Sequence, residues 1–545
     1  MKKTTVTALV LLLAAPVQAQ TPDASRPVKG SVETIAAEVE VLVVDKKGAP
    51  VDGLTRDDFK LFVNGKETPL DWFEAPPTPG ASATAPVSAP PAAATAPPVT
   101  ASTPVSRAHS TVFVISALHV DVGAQKAGLD ALRAYADRLP DGEQASVYLL
   151  DNGARRLVGF TSDRKAMQKA IDRPRRIVPM SYAFDVRTDE WVGRSRQMLR
   201  NLGTVLDSIA SRPEPKTVVI LTGPLSPTGN VTPPGGLGLA QRPLIGGVDP
   251  RTSASPISAT DTVTHYNNPV ATRGERQWNF LGEAKDIEDQ AFLARATVVA
   301  LDPSGILSPG GQADSKMPDD RNLLAAGDSW EFRNDTFALI AEATGGARLG
   351  FSNRPVDLIL DASRLLAKRY RLGFTPPDGT SARRDIRVEM TRSGLVVRTA
   401  SGQRSLTAET AARARFAGLV LSAEAPKGDF TIAVEMKSPV SKRTDDALPF
   451  DILVPVSGVY AEERGESKRA KLELLVSAVD DEGRASEPIV IPFSVELAKA
   501  TALDGAFFRK DSSFSIDKRW KGRLFVGVRD TATNRLGAVA IPIGG

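Results

Sequence analysis

The chain has 545 residues, 42% of them apolar and 24% charged, a globular composition whose length corresponds to three or four domains. Its formal net charge is only +4 and is spread thinly, a weak signal for any polyanion partner and no basis for expecting nucleic acid. The absence of cysteine excludes disulfides, thiol nucleophiles and thiolate metal sites, so stability has to come from packed cores.

Lys2 and Lys3 precede an uncharged apolar run over residues 6–17 that ends in the small-residue pattern Val17-Gln18-Ala19, the layout of a secretory signal peptide. Residues 1–19 are therefore expected to be removed, leaving a secreted or periplasmic protein that begins near Gln20. No second apolar stretch approaches the roughly 18 residues of a membrane span, so no transmembrane segment is expected after cleavage. Residues 31–75 read as a small β module: an alternating strand around Val39 to Val44, a second from Phe59 to Val63, and a third after the Asn64-Gly65 turn. Alone it is too small to be stable. Residues 76–108 are almost entirely Pro, Ala, Thr, Ser and Val, the composition of an extended linker.

From Thr111 the pattern changes to buried strands alternating with amphipathic helices, the signature of a doubly wound sheet. Strands are expected at 111–115, 146–150, 156–160 (antiparallel), 217–221, 297–301 and 370–374. The helices between them carry Leu129, Leu132 and Tyr135, then Met167 and Ile171, then Leu199, Leu202, Leu206 and Ile209 at helical spacing. The domain is expected to run over 109–375, with a Gly/Pro/Thr-rich insertion at 223–272.

The segments Gly53-Leu54-Thr55-Arg56-Asp57-Asp58-Phe59, Phe160-Thr161-Ser162-Asp163, Glu342-Ala343-Thr344-Gly345-Gly346 and Tyr370-Arg371-Leu372-Gly373-Phe374 stand in an order that resembles the von Willebrand factor A-related proteins of acidobacteria. The resemblance covers roughly residues 31–402 and implies an exported protein with an A-like domain; it supplies no substrate. A-like domains often hold a divalent cation at the C-terminal edge of the sheet, through an Asp-x-Ser-x-Ser loop, a Thr and a later Asp. Here the first loop reads Ser116-Ala117-Leu118-His119-Val120, Thr161 matches the Thr, and the later position is Thr222. Hard cations need carboxylate oxygen, so the site is degenerate and no metal or other cofactor is expected. The candidate binding residues are accordingly Ser116, Leu118, His119, Thr161, Asp163 and Thr222, with Asp163 more plainly a helix N-terminal charge. His109 and His265 have no visible partner in the sequence.

Residues 384–400 read as a β-hairpin around Arg392-Ser393-Gly394 that packs with the N-terminal module, since neither is stable alone. Residues 410–545 show only short strands between turns and are expected to form an immunoglobulin-like sandwich of about seven strands. The fold class is thus α/β plus β, an A-like domain flanked by a small β module and a C-terminal sandwich. No Gly-x-Ser-x-Gly, His-Glu-x-x-His or phosphate-binding Gly-rich loop is present, and the expectation is a non-catalytic binding or adhesion protein with an unknown protein or glycan partner. A structural scaffold of an envelope assembly is the alternative. A hydrolase using paired carboxylates from distant loops is a third reading.

Overall fold

The computed structural model describes residues 37–76, 109–117, 120, 122–176, 188–230, 277–304, 335–350, 352–377, 383–422, 426–437, 446–498, 505–517 and 520–543. The signal-peptide reading, the linker and most of the 223–272 tract fall outside them.

Strands β1 (Ala37–Asp45), β2 (Phe59–Val63), β3 (Lys66–Thr68) and β4 (Trp72–Glu74) open the chain. Asn64 and Gly65 both take positive φ, 50° and 77°, the two-residue turn that matches strand twist and closes β2 on β3. The six-stranded sheet follows, from β5 (Ser110–Ser116), β6 (Gln144–Leu150), β7 (Ala154–Thr161), β8 (Lys216–Leu221), β11 (Ala296–Leu301) and β12 (Ala347–Leu349). A short ribbon of β9 (Thr228–Asn230) and β10 (Gln277–Asn279) lies between β8 and β11 in the chain. The sheet order is β12-β11-β8-β5-β6-β7, with only β7 antiparallel, which is the 3-2-1-4-5-6 order of doubly wound folds.

Among the described residues six helices accompany these strands: α1 (Val122–Asp137), α2 (Arg164–Asp172), α3 (Thr188–Ala210), α4 (Leu281–Leu293), α5 (Thr336–Ala343) and α6 (Pro355–Leu366). Strand alternation assigns them to faces. Phe113 and Ile115 of β5 share a core with Leu129 and Leu132 of α1, Ile171 of α2 and Ile359 of α6. Val112 and Val114 point the other way, to Leu202 and Leu206 of α3, Ile287 of α4 and Phe337 of α5.

The strand at Tyr370–Phe374, expected to close this sheet, belongs elsewhere. As β13 it lies antiparallel between β1 and β4 in a separate sheet of order β15-β1-β13-β4, and the far edge of the six-stranded sheet is filled by β12. The reason is a long-range contact: the Tyr370 hydroxyl donates to the Val51 carbonyl at 2.8 Å and accepts the Leu54 N–H at 3.2 Å, which fixes β13 against the N-terminal loop.

The expected hairpin is likewise corrected. β14 (Arg383–Met390) pairs with β2, whereas β15 (Leu395–Thr399) pairs with β1, so the turn at Gly394 crosses from one sheet to the other and the two strands form an arch. With β16 (Gly402–Arg404) beside β14, two four-stranded sheets face each other around Val41, Leu61, Tyr370, Leu372 and Ile386. β1 is buried on both faces, because Leu42 and Val44 turn away from that core toward Ala347 and Leu365 of the α/β unit.

Helix α7 (Ala408–Ser422) was not expected, since residues 410–545 read as strands alone. It sits between two layers, with Ala414, Phe416 and Val420 in one core with residues of α3 and with Leu475, Phe525 and Leu536 of the C-terminal strands. A helix packed on two sides loses the one-sided pattern by which helices are recognised. Beyond it, β17 (Ala433–Met436), β18 (Ala447–Pro455) and β22 (Phe507–Ser515) form a three-stranded sheet; β19 (Glu462–Arg464), β20 (Ser467–Asp480), β21 (Ile489–Ala498), β23 (Gly522–Asp530) and β24 (Leu536–Ile543) form a five-stranded one. All pairs are antiparallel, and Phe450, Ile452, Leu474, Val476 and Val526 fill the space between the sheets. This sandwich is joined to the edge of the six-stranded sheet by two backbone hydrogen bonds, Ala154 N–H to Ala485 O at 3.1 Å and Ala485 N–H to Ala154 O at 2.8 Å. Among the described residues no helix is long and apolar enough to cross a membrane.

Candidate functional site

Parallel strands of a doubly wound sheet end together, and ligands dock where the strand order reverses, here between β5 and β8. Ser116 and Thr222 stand side by side at that point, one step beyond the paired residues Ile115 and Leu221. Both are buried. Thr222 turns its hydroxyl back on the Gly223 carbonyl at 3.3 Å, and its N–H is held by Leu301. Leu118 and His119 lie outside the described residues.

Thr161 and Asp163 are not part of this edge, which corrects their assignment. β7 runs antiparallel to β6, so Thr161 pairs with Ala145 at the opposite end of the sheet, while Ser116 is level with Leu150. Five residues of strand separate the two levels, about 17 Å at the usual rise per residue. Asp163 is the N-cap of α2, accepting the N–H groups of Lys165 at 2.9 Å and Ala166 at 3.2 Å. The segment that does return to the upper edge is the one after α2, where the Gln125 side chain donates to the Pro174 carbonyl at 3.2 Å.

Among the described residues Asp302 is an acid at the upper edge; it follows β11 and is already committed. Its carboxylate accepts from Arg348 at 3.3 Å and from the Ser304 N–H at 2.9 Å. Arg348, almost wholly buried on β12, also donates to Asp335 and to the carbonyls of Ala300 and Leu349. Burial lowers the Arg348 pKa, and the adjacent Asp335 and Asp302 carboxylates override it, so the guanidinium stays charged. Asp335 in turn caps α5 through the Phe337 N–H at 3.0 Å and accepts the Leu225 N–H at 3.3 Å. The stems of the tracts at 223–276 and 305–334 are therefore tied to one buried carboxylate. A second bond supports this tie, since the Thr336 N–H donates to the Leu225 carbonyl at 2.7 Å.

This donor set does not fit a divalent cation. Ser116 and Thr222 are buried, the Thr222 hydroxyl is turned back on its own backbone, and the described acids nearby, Asp302 and Asp335, are paired with an arginine, whereas hard cations take carboxylate oxygens in open geometry. Among the described residues no group of three or more His, Asp or Glu side chains is gathered closely enough to hold a metal ion. Asp335 carries the motif-level signal of a helix N-cap, but nothing in the sequence around Arg348 marks its role.

The lower edge holds a second polar cluster. His109, which showed no partner in the sequence, lies 3.3 Å from Glu143 and 3.3 Å from the Thr217 hydroxyl. Lys216 is fully buried, and its ammonium donates to the carbonyls of Arg212, Glu214 and Ala294 at 2.7, 2.7 and 2.9 Å. Burial pushes its pKa down to about 7 against the pull of Glu214. Arg369 bridges Glu40 of β1 at 2.9 Å and Thr297 of β11 at 3.0 Å. Burial pushes the Glu40 carboxyl up, but Arg369 and His109 outweigh it and hold the group below its usual range. These contacts join the N-terminal sandwich to the α/β unit.

No family model matches the chain, and no curated protein does. Solved structures similar to it include an aerotolerance-related membrane protein from Bacteroides fragilis, with 10% identity over 47% of this chain and 98% of that one and a TM-score of 0.23. A von Willebrand factor type A protein from Catenulispora acidiphila shares 11% identity over 80% of this chain and 66% of that one, with a TM-score of 0.24. A pilus adhesin from Lactobacillus rhamnosus GG shares 11% over 79% and 56%, with a TM-score of 0.25. Superpositions of this quality assign no function.

Proposed function

We propose that this is an exported, non-catalytic protein that binds a protein or glycan partner at the upper edge of its doubly wound sheet, without a metal ion. The observation that carries the reading is the convergence at Asp335: the stems of two long tracts, 223–276 and 305–334, leave and re-enter the fold at the edge where such sheets receive ligands. The buried arginine beneath them supplies the positive charge that a cation would otherwise bring to the local carboxylates. Export rests on the signal-peptide layout of residues 1–19.

The test uses the β9–β10 ribbon. Asn230 pairs with Gln277, so residues 231–276 can be replaced by Asn-Gly, a two-residue hairpin turn, without disturbing the stem. The wild-type chain is expected to retain a saturable component of its native envelope, and the shortened chain, with unchanged circular dichroism, to lose it. Equal retention by both would overturn the assignment of this edge. Recovery of a fixed-stoichiometry complex by both would favour the scaffold reading instead.

A further inference from the structure

Helix α2 concentrates charge that the rest of the chain spreads thinly. Met167, Ala170 and Ile171 form its buried face. On the opposite face Lys165, Lys169 and Arg173 stand four residues apart, all exposed, and none has an ion-pair or side-chain hydrogen-bond partner among the described residues. Lys126 on neighbouring α1 and Arg138 just beyond its end are exposed and unpaired in the same way.

The acids on this face are already occupied. Arg175 takes Asp130 and Asp172, Arg133 also takes Asp172, Arg164 takes Asp141, Gln168 donates to Asp137, and Asp163 caps α2. Asp137 and Asp163 keep their negative charge, held by an amide and by backbone N–H groups, but the balance of the side chains named here is still positive. Like charges at a spacing of four residues repel along a helix, and a cation in the first turn, such as Lys165, also opposes the helix dipole. That arrangement costs stability in the free protein, and an anionic partner would offset the cost. The three side chains step along the helix at about 6 Å per interval. They run from the lower edge at Asp163 to Pro174, which meets Gln125 at the upper edge. Among the described residues none of the large exposed apolar side chains lies on this face.

We propose that the α2 stripe binds a linear acidic polysaccharide, one whose successive carboxylates follow the helix toward the upper edge. This deepens the glycan-binding reading of the protein but rests on a different surface. A straight ladder of charges on a helical face suits a chain of regularly spaced acids, and among the described residues no large exposed apolar side chain lies beside it.

The test titrates the full chain with polygalacturonate at about 50 mM salt, where surface charges act beyond 10 Å. Saturable binding is expected, weakened at least about tenfold by Lys165→Gln, Lys169→Gln and Arg173→Gln combined, abolished by high salt, and absent with neutral dextran. No binding by the wild type, or full binding by the triple variant with unchanged circular dichroism, would overturn the proposal. Binding to a single-stranded oligonucleotide or to phosphatidylglycerol vesicles as tight as to polygalacturonate would overturn the choice of a glycan. The chain lacking residues 231–276 keeps the stripe and is expected to bind normally, so failure at the upper edge and failure at α2 are distinguishable.

Discussion

Arg348 on the edge strand of the doubly wound sheet donates to Asp302 at the end of the adjacent strand, 3.3 Å away, with both side chains almost fully buried. With Asp335 they form a carboxylate, guanidinium, carboxylate row, and removing the middle member leaves two buried acids uncompensated. Arg348→Met is expected to cost about 3–5 kcal/mol, the range for breaking a buried pair from one side. Adding Asp302→Asn and Asp335→Asn should recover part of that loss, because the charges left behind disappear. Urea midpoints of the single and triple variants measure it. A single variant as stable as wild type would show that the row contributes nothing.

The upper edge should ignore divalent cations. Calorimetric titration with Mg²⁺, Mn²⁺ and Ca²⁺ is expected to show no saturable site at micromolar concentrations. Asp163→Ala should lower stability by about 1 kcal/mol, as loss of an N-cap does. It should leave partner retention at the upper edge unchanged, because α2 begins at the other end of the sheet. Micromolar metal binding abolished by Asp163→Ala would refute both the geometry and the reading.

Asp207 on α3 gives a pH signature. Burial pushes its pKa up to about 6, with the Gln290 hydrogen bond opposing the shift. The folded protein therefore holds this proton where the unfolded chain has lost it, so its contribution is complete below the ordinary carboxylate range and is lost as pH rises through about 6. Asp207→Asn is expected to raise stability at pH 7 by about 1–3 kcal/mol, with the gain vanishing below pH 4. Denaturant midpoints of the two proteins measured from pH 4 to 8 should diverge in that order; parallel curves would mean that Asp207 is solvated.

The junction with the C-terminal sandwich is set by close packing. A β-carbon on residue 527 would stand 2.7 Å from the Phe416 ring. Gly527→Val should therefore cost about 1–3 kcal/mol, the usual penalty for overpacking. Phe416→Leu in the same chain should recover part of it. The coupling is read from a double-mutant cycle, and strictly additive effects would show that the two positions do not touch.

Much of the architecture is legible in local pattern. The continuous apolar strands at Val112 to Ile115 and Val218 to Leu221, the helical spacing of Leu199, Leu202 and Leu206, and the Asn64-Gly65 turn each follow from short-range stereochemistry, which neighbours along the chain determine. So does the deficit of carboxylates at Ser116 and Thr222, a matter of residue identity alone. What the sequence does not contain is direction and partnership. Thr161 matches a ligand position by order, yet the antiparallel course of β7 carries it to the far end of the sheet. Tyr370 to Phe374 has the pattern of a buried strand, but which sheet it enters depends on Val51 and Leu54, more than 300 positions away. The arch between β14 and β15, the two-sided burial of α7 and the union of Leu225, Asp302, Asp335 and Arg348 share that cause. Burial energy is set by whichever surfaces meet in space, and the same apolar or charged residue satisfies several local patterns until the tertiary fold supplies its neighbour.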